Sequence, residues 1–142
     1  FKQKTAYEIY QCDWSSDVCS SDLQTANNCF ANKRIIVLFQ PHRFSRTKDL
    51  LNEFAQSFFN CSQVFISDIY AASEENIYEI DSNILSQNIN KYSHNAIYTK
   101  NLDSSIKKVC EILRPNDVLL TLGAGSVTNA GKKIQQFLKE NL

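Results

Sequence analysis

Two runs of consecutive apolar residues do most to limit what this chain can fold into: Arg34-Ile-Ile-Val-Leu-Phe39 and Val118-Leu-Leu-Thr-Leu122. A strand with one face in water alternates apolar and polar residues. An unbroken, β-branched run is instead the pattern of a strand covered on both faces, as in parallel sheets layered between helices. Gln40-Pro41 closes the first run, and Pro115-Asn-Asp117 turns the chain into the second.

Between them the sequence keeps alternating. After the first strand, Ser45 is expected to cap a helix in which Leu50, Leu51, Phe54 and Phe58 share one face. Gln63–Ser67 reads as a second strand, followed by a loop from Asp68 to about Ile80. Asp81 or Ser82 opens a short helix with Ile84, Leu85 and Ile89 inward, and Ala96–Tyr98 forms a short third strand. Asn101 or Asp103 caps a helix carrying Leu102, Ile106, Val109 and Leu113. Gly123-Ala-Gly125 then leads from the fourth strand into a last helix with Val127, Ile134, Phe137 and Leu138 on its apolar side. The order βαβαβαβα predicts a small doubly wound α/β fold, Rossmann-like, with a mostly parallel sheet. Such folds bind ligands beyond the carboxyl ends of their strands. Those ends are Gln40–Thr47, Asp68–Glu74 and Gly123–Ser126.

Composition narrows the function classes. The 142 residues include 15 basic and 15 acidic side chains, which cancel and leave no electrostatic footprint for nucleic acid or an anionic membrane. No run approaches the roughly 18 apolar residues of a membrane span. The five cysteines (Cys12, Cys19, Cys29, Cys61 and Cys110) form no CxxC pair and have no histidine at metal-ligand spacing, so reduced structural thiols in a cytoplasmic protein are expected, with no metal site. Phe1–Leu23 differs from the rest: it lacks a sustained period and repeats Ser-Ser-Asp at Ser15–Asp17 and Ser20–Asp22. The string resembles translated sequencing-adaptor DNA, and residues 1–23 are expected to be an unstructured, artefactual segment. With no methionine anywhere, the chain reads as a fragment of a longer product, its domain covering residues 24–142.

Gln40-Pro-His-Arg-Phe-Ser-Arg-Thr47 is the most informative stretch. Arg43 and Arg46, three apart and beside His42, stand where a strand ends and a helix begins. Cations are disfavoured at a helix N-terminus unless an anion is supplied, and a guanidinium holds a carboxylate or phosphate through two hydrogen bonds at once. An anion site and a pair of solvated surface arginines both fit this pattern, and His42 alone fits a structural role better than a catalytic one. The Gly123–Gly125 turn fits a phosphate cradle or simply a tight strand-to-helix connection.

The octapeptide resembles the Q-P-H-R-[YF]-[ST]-R-T signature of the UDP-N-acetylmuramate–L-alanine ligase branch of the ATP-dependent Mur ligase family. Asp68-Ile-Tyr-Ala-Ala-Ser-Glu74 is similar to the family's D-[VI]-Y-x-A-x-E segment, and Asp117–Gly125 to its strand ending in G-A-G. The resemblance covers about 110 residues, from about Lys33 to Leu142, with Ser73 where the family often has glycine and Leu122 where glutamine is common.

Carried over residue by residue, the resemblance implies a Mur ligase C-terminal, amino-acid-binding domain. Arg43 and Arg46 would hold the L-alanine carboxylate, and His42 would sit near the phosphate or lactyl end of UDP-N-acetylmuramate. Ser45, Thr47, Asp68, Tyr70, Glu74, Gly123 and Gly125 would line the cleft. ATP and Mg2+ would be bound mainly by a central domain, since these residues contain no G-x-x-x-x-G-K-[ST] motif. The missing partners would be that domain and the UDP-binding N-terminal domain of the same chain, and the fragment alone would be inactive. A stand-alone α/β module for a small anion is the competing expectation.

Overall fold

The computed structural model describes residues 7–12, 28–30, 32–123 and 125–140, with the backbone alone for 7–12 and at Thr128. Its centre is a five-stranded sheet in the order β1-β5-β2-β3-β4, and every neighbouring pair is parallel. The strands are β1 (Tyr7–Cys12), β2 (Ile35–Phe39), β3 (Gln63–Ser67), β4 (Ala96–Lys100) and β5 (Asp117–Leu122). The helices are α1 (Phe44–Asp49), α2 (Leu51–Ala55), α3 (Ser82–Asn90), α4 (Leu102–Ile112) and α5 (Ala130–Glu140), with a 3-10 turn at Ser126–Asn129 before α5.

The unbroken apolar runs do what their pattern requires. All five residues of β2 and all six of β5 are buried, because helices cover both faces. Ile35, Val37 and Phe39 turn to the side where Phe54, Phe58, Leu85 and Ile89 pack. Ile36 and Leu38 turn to the other side, against Ile106, Val109, Ala130 and Ile134. Phe39 meets Phe54 edge-on at 5.2 Å between ring centroids and Phe58 at 5.4 Å. Each large apolar side chain buried in this way contributes about 1.5–3 kcal/mol relative to exposure.

Local signals hold for the middle helices. Asp81 caps α3, its side chain accepting from the Ile84 N–H at 2.8 Å. Asn101 caps α4, accepting from the Ser104 N–H at 2.8 Å. At the amino ends of the central strands, Arg34 grips Asp117: Nε donates to Oδ1 at 3.1 Å and Nη2 to Oδ2 at 2.5 Å. The same Nη2 reaches the Ile112 carbonyl at 2.6 Å, and the Arg114 N–H also donates to Asp117. This fork fastens β2 to β5 and to the end of α4 at the pole opposite the site, with the Asp117 side chain only 6% exposed.

Four expectations need correction. The segment 1–23 is not unstructured throughout, since Tyr7–Cys12 pairs with Asp117–Leu122 as a fifth strand. The outer edge of β5 offers a row of backbone donors and acceptors, and a strand can meet it whatever its side-chain period. The remainder of 1–23 lies outside the described residues. The helix after β2 breaks at Leu50 into two short helices, and Phe58 packs in the core from beyond the second. Ser45 caps neither of them. Finally, Phe137 is 37% exposed, while Ala130 and Ile134 fill the buried side of α5.

The strand order decides where a ligand could sit. From β2 the chain moves outward through β3 to β4, then returns to the opposite side of β2 as β5. The direction of winding therefore reverses between β2 and β5, and the crevice beyond their carboxyl ends is the topological switch point. Phe39 and Leu122 are register partners there, and Gln40 and Gly123 come next.

Candidate functional site at the switch point

Gln40 is the first residue past β2, and it is buried. Its N–H donates to the Leu122 carbonyl at 2.9 Å, which prolongs the β2–β5 pairing by one rung. Its side-chain amide donates to Ser126 Oγ at 2.8 Å and accepts from the Val127 N–H at 2.9 Å. A buried amide must find such partners, and in doing so it ties the end of β2 to the 3-10 turn after β5. Gln40 closes the strand in the sequence pattern but is not among the site residues expected from it. The signal available was its place directly after a fully apolar strand, where a long polar side chain has no cheap route to water.

The next three residues couple the β2 and β3 loops. His42 and Tyr70 form an isolated parallel bridge. The Tyr70 N–H donates to the Pro41 carbonyl at 2.8 Å, and the Arg43 N–H donates to the Tyr70 carbonyl at 2.8 Å. The imidazole of His42 stacks on the Tyr70 ring, with 5.7 Å between centroids and 13° between planes. The structural reading of His42 thus has a concrete basis: it braces Tyr70, which is 39% exposed at the rim.

Tyr70 also explains Gly125. A Cβ built on Gly125 would lie 2.5–2.8 Å from three atoms of the Tyr70 ring, so only a glycine lets the two approach. Gly123 has φ +147°, and a Cβ there would lie 2.7 Å from the Gln40 carbonyl oxygen and 2.7 Å from the Val127 side chain. Both glycines are accounted for by close packing, and the Val127 N–H that follows them is already taken by Gln40. Of the two readings of this turn, the tight connection is the one the geometry fills.

Arg43 precedes α1 with φ 68° and ψ 143°, a backbone conformation costly for any residue with a side chain. Its carbonyl accepts from both the N–H of Thr47 at 3.2 Å and the Thr47 hydroxyl at 2.8 Å, which explains the burial of Thr47. Arg43 is exposed and Arg46, one residue past Ser45 in the first turn of α1, is half-buried. One carboxylate of the protein itself already meets this helix start. Glu74 accepts from the Ser45 N–H at 3.1 Å and from the Ser45 hydroxyl at 2.6 Å. Those hydrogen bonds, with a smaller contribution from the positive charge of Arg43, hold the Glu74 carboxyl below its usual range. Ser45 therefore does not cap the helix; it is the handle by which Glu74 does. The cap comes from 29 residues away, too far for a local sequence rule to find.

The Asp68–Glu74 stretch is thus divided. Tyr70 and Glu74 face the β2 loop, whereas Asp68 accepts a short hydrogen bond from Tyr98 of β4. That bond, helped by partial burial, pushes the Tyr98 hydroxyl up to about 12. Asp68 is thus fastened to the β3–β4 side. Just before Glu74, Ala72 and Ser73 both have positive φ, 50° and 71°. A left-handed conformation costs a non-glycine residue about 1–2 kcal/mol, partly offset in a glycine variant by greater freedom of the unfolded chain. Ser73→Gly is accordingly expected to raise stability by about 0.5–1 kcal/mol, read as a higher urea midpoint. A lower midpoint would contradict this loop path.

Burial pushes the Cys61 thiol up to about 12 and the Cys110 thiol up to about 11, which keeps both inert as nucleophiles or ligands. Among the described residues no group of three or more His, Cys, Asp or Glu is arranged to hold a metal, and no helix is long and apolar enough to cross a membrane.

No family model matches the chain. Curated relatives do. A UDP-N-acetylmuramate–L-alanine ligase of Desulforapulum autotrophicum is 44% identical over 108 residues, which are 75% of this chain and 24% of that protein. A protein of the same name from a Sulfurihydrogenibium species is 32% identical over 149 residues, covering 96% of this chain and 33% of its own length. The chain thus spans about a quarter to a third of the length of these relatives. In fold it is similar to the UDP-N-acetylmuramate-alanine ligase of Thermotoga maritima, at 20% identity and a TM-score of 0.61 over 94% of this chain and 27% of that one. A murein peptide ligase of Psychrobacter arcticus superposes with a TM-score of 0.67 at 11% identity, over 94% of this chain and 28% of its own. With 44% identity over three quarters of its residues, the chain belongs to the Mur ligase family, as a segment homologous to UDP-N-acetylmuramate–L-alanine ligases.

Proposed function

We propose that residues 24–142 are the C-terminal, amino-acid-binding domain of an ADP-forming ligase that joins L-alanine to UDP-N-acetylmuramate in cytoplasmic peptidoglycan precursor synthesis. The observation that carries this reading is the position of Gln40–Thr47: the stretch with two arginines and a strained backbone at Arg43 borders the switch point, where folds of this kind take their ligands. Homology to ligases of that name supports the choice of substrates.

In this reading Arg43 and Arg46 hold the carboxylate of L-alanine, so that its amine points out of the rim. His42 and Tyr70 form the wall beside the nucleotide-sugar substrate. ATP activates the muramoyl carboxylate as an acyl phosphate, the alanine amine attacks the carbonyl carbon, and phosphate departs as the amide forms. ATP and Mg2+ are assigned to a central domain. The contribution of this domain is position: it converts the meeting of amine and acyl phosphate into an effectively intramolecular step.

The test is reconstitution. The 142-residue chain, which keeps β1 beside β5, joined to the N-terminal and central parts of the Desulforapulum relative should release phosphate only when UDP-N-acetylmuramate, L-alanine and ATP are all present. The 142-residue chain alone should release none. A chimera that folds and binds ATP yet ignores L-alanine would favour a stand-alone anion-binding module.

A further inference from the structure

We propose that Glu74 is a positioning residue: by locking Ser45 it fixes the turn from which Arg43 and Arg46 present their guanidinium groups. The inference rests on the reading that these arginines hold the alanine carboxylate. Ser45 lies between them in the chain, and both of its polar hydrogens go to Glu74, one to each carboxylate oxygen. The six residues of α1 are too few to hold a helix on propensity alone, and no side chain caps it from within. The Thr47 N–H and hydroxyl close the turn from Arg43 to Thr47 on the Arg43 carbonyl, and Glu74 fixes Ser45, between the two arginines, from outside it. Glu74 is carried to it by the left-handed pair Ala72 and Ser73. The ring system of His42 and Tyr70 holds the other end of the same loop. Loop and helix start are therefore one unit, with Glu74 as its far fastening.

A carboxylate also suits the place chemically. It faces a helix start and the charge of Arg43, both of which favour the ionised form. Both of its oxygens accept from Ser45.

The experiment uses the reconstituted ligase and compares Glu74→Ala, Glu74→Gln and Ser45→Ala with Arg46→Ala. Glu74→Ala should raise the KM for L-alanine on the order of 10-fold, with the KM for ATP changed less than about twofold. Glu74→Gln can still accept from the Ser45 N–H and donate to its hydroxyl, so it should recover most of the loss. Ser45→Ala, which keeps the backbone bond, should give a smaller rise in the same direction and stands in if Glu74→Ala fails to fold. If Glu74→Ala and Ser45→Ala leave the KM for L-alanine unchanged while Arg46→Ala raises it, the positioning role is overturned and the clamp survives. Equal losses for ATP and alanine in Glu74→Ala, unrelieved by Gln, would mark it as merely structural and overturn the proposal too. If Arg46→Ala itself spares L-alanine, the clamp fails, and Glu74 has nothing to position.

Discussion

Arg46→Ala in the reconstituted ligase should lower kcat/KM for L-alanine by about 10- to 150-fold, mainly through KM, and leave ATP nearly untouched. The range follows from one charge-assisted contact, worth about 1.5–3 kcal/mol. Arg46 is half-buried in the first turn of α1, where a guanidinium can direct both prongs at one carboxylate. Arg46→Lys should recover only part of the loss, because an ammonium keeps the charge without the fork. If the arginines were ordinary surface residues, either substitution would change little, within about 0.5 kcal/mol, and would not discriminate among substrates. Steady-state kinetics with each substrate varied in turn decides the matter.

Gly123→Ala should destabilise the fold by about 2–4 kcal/mol. Two costs add at this position: a φ of +147° that an L side chain rarely adopts, and a Cβ placed 2.7 Å from the Gln40 carbonyl oxygen. The carbonyl belongs to the backbone of the central strand's end and cannot swing aside as a side-chain tip could. Relief would require opening the Gln40–Leu122 rung or the Gln40 contacts to Ser126 and Val127. In urea the midpoint should fall by about 1–2 M. Gly125→Ala should behave differently, since its obstruction is the half-exposed Tyr70 ring, which can rotate away. That variant should lose the His42–Tyr70 stack more than it loses stability. A Gly123→Ala midpoint within about 0.3 M of the parent would contradict the close packing described for this turn.

Much of the fold could be read in the sequence because the deciding forces were local. The continuous runs of β2 and β5 can only be strands covered twice, and Asp81 and Asn101 cap their helices through N–H groups three residues ahead. What escaped reading depends on partners distant in the chain. The cap of α1 comes from Glu74, 29 residues on, and Gln40 finds Ser126 86 residues away. The Arg34–Asp117 fork spans 83 residues. β1 escaped for another reason: its residues pair through backbone groups with β5, and backbone pairing leaves no mark on side-chain pattern. The site itself divides similarly. His42, Arg43, Arg46, Tyr70 and Glu74 were legible as one constellation only through resemblance. Physical reading alone reached the two arginines and asked for an anion. It could not say that a glutamate of the same chain would meet the helix start.

The central claim is that the rim recognises a carboxylate, and alaninamide tests it most directly because it keeps the attacking amine and removes only that group. With the reconstituted ligase, kcat/KM for L-alanine should exceed that for alaninamide by at least about 10-fold, the loss of one charge-assisted contact. In Arg46→Ala the two values should converge, since the variant has already lost what alaninamide lacks. Equal use of alanine and alaninamide by the parent enzyme, or an unchanged ratio in Arg46→Ala, would contradict the account.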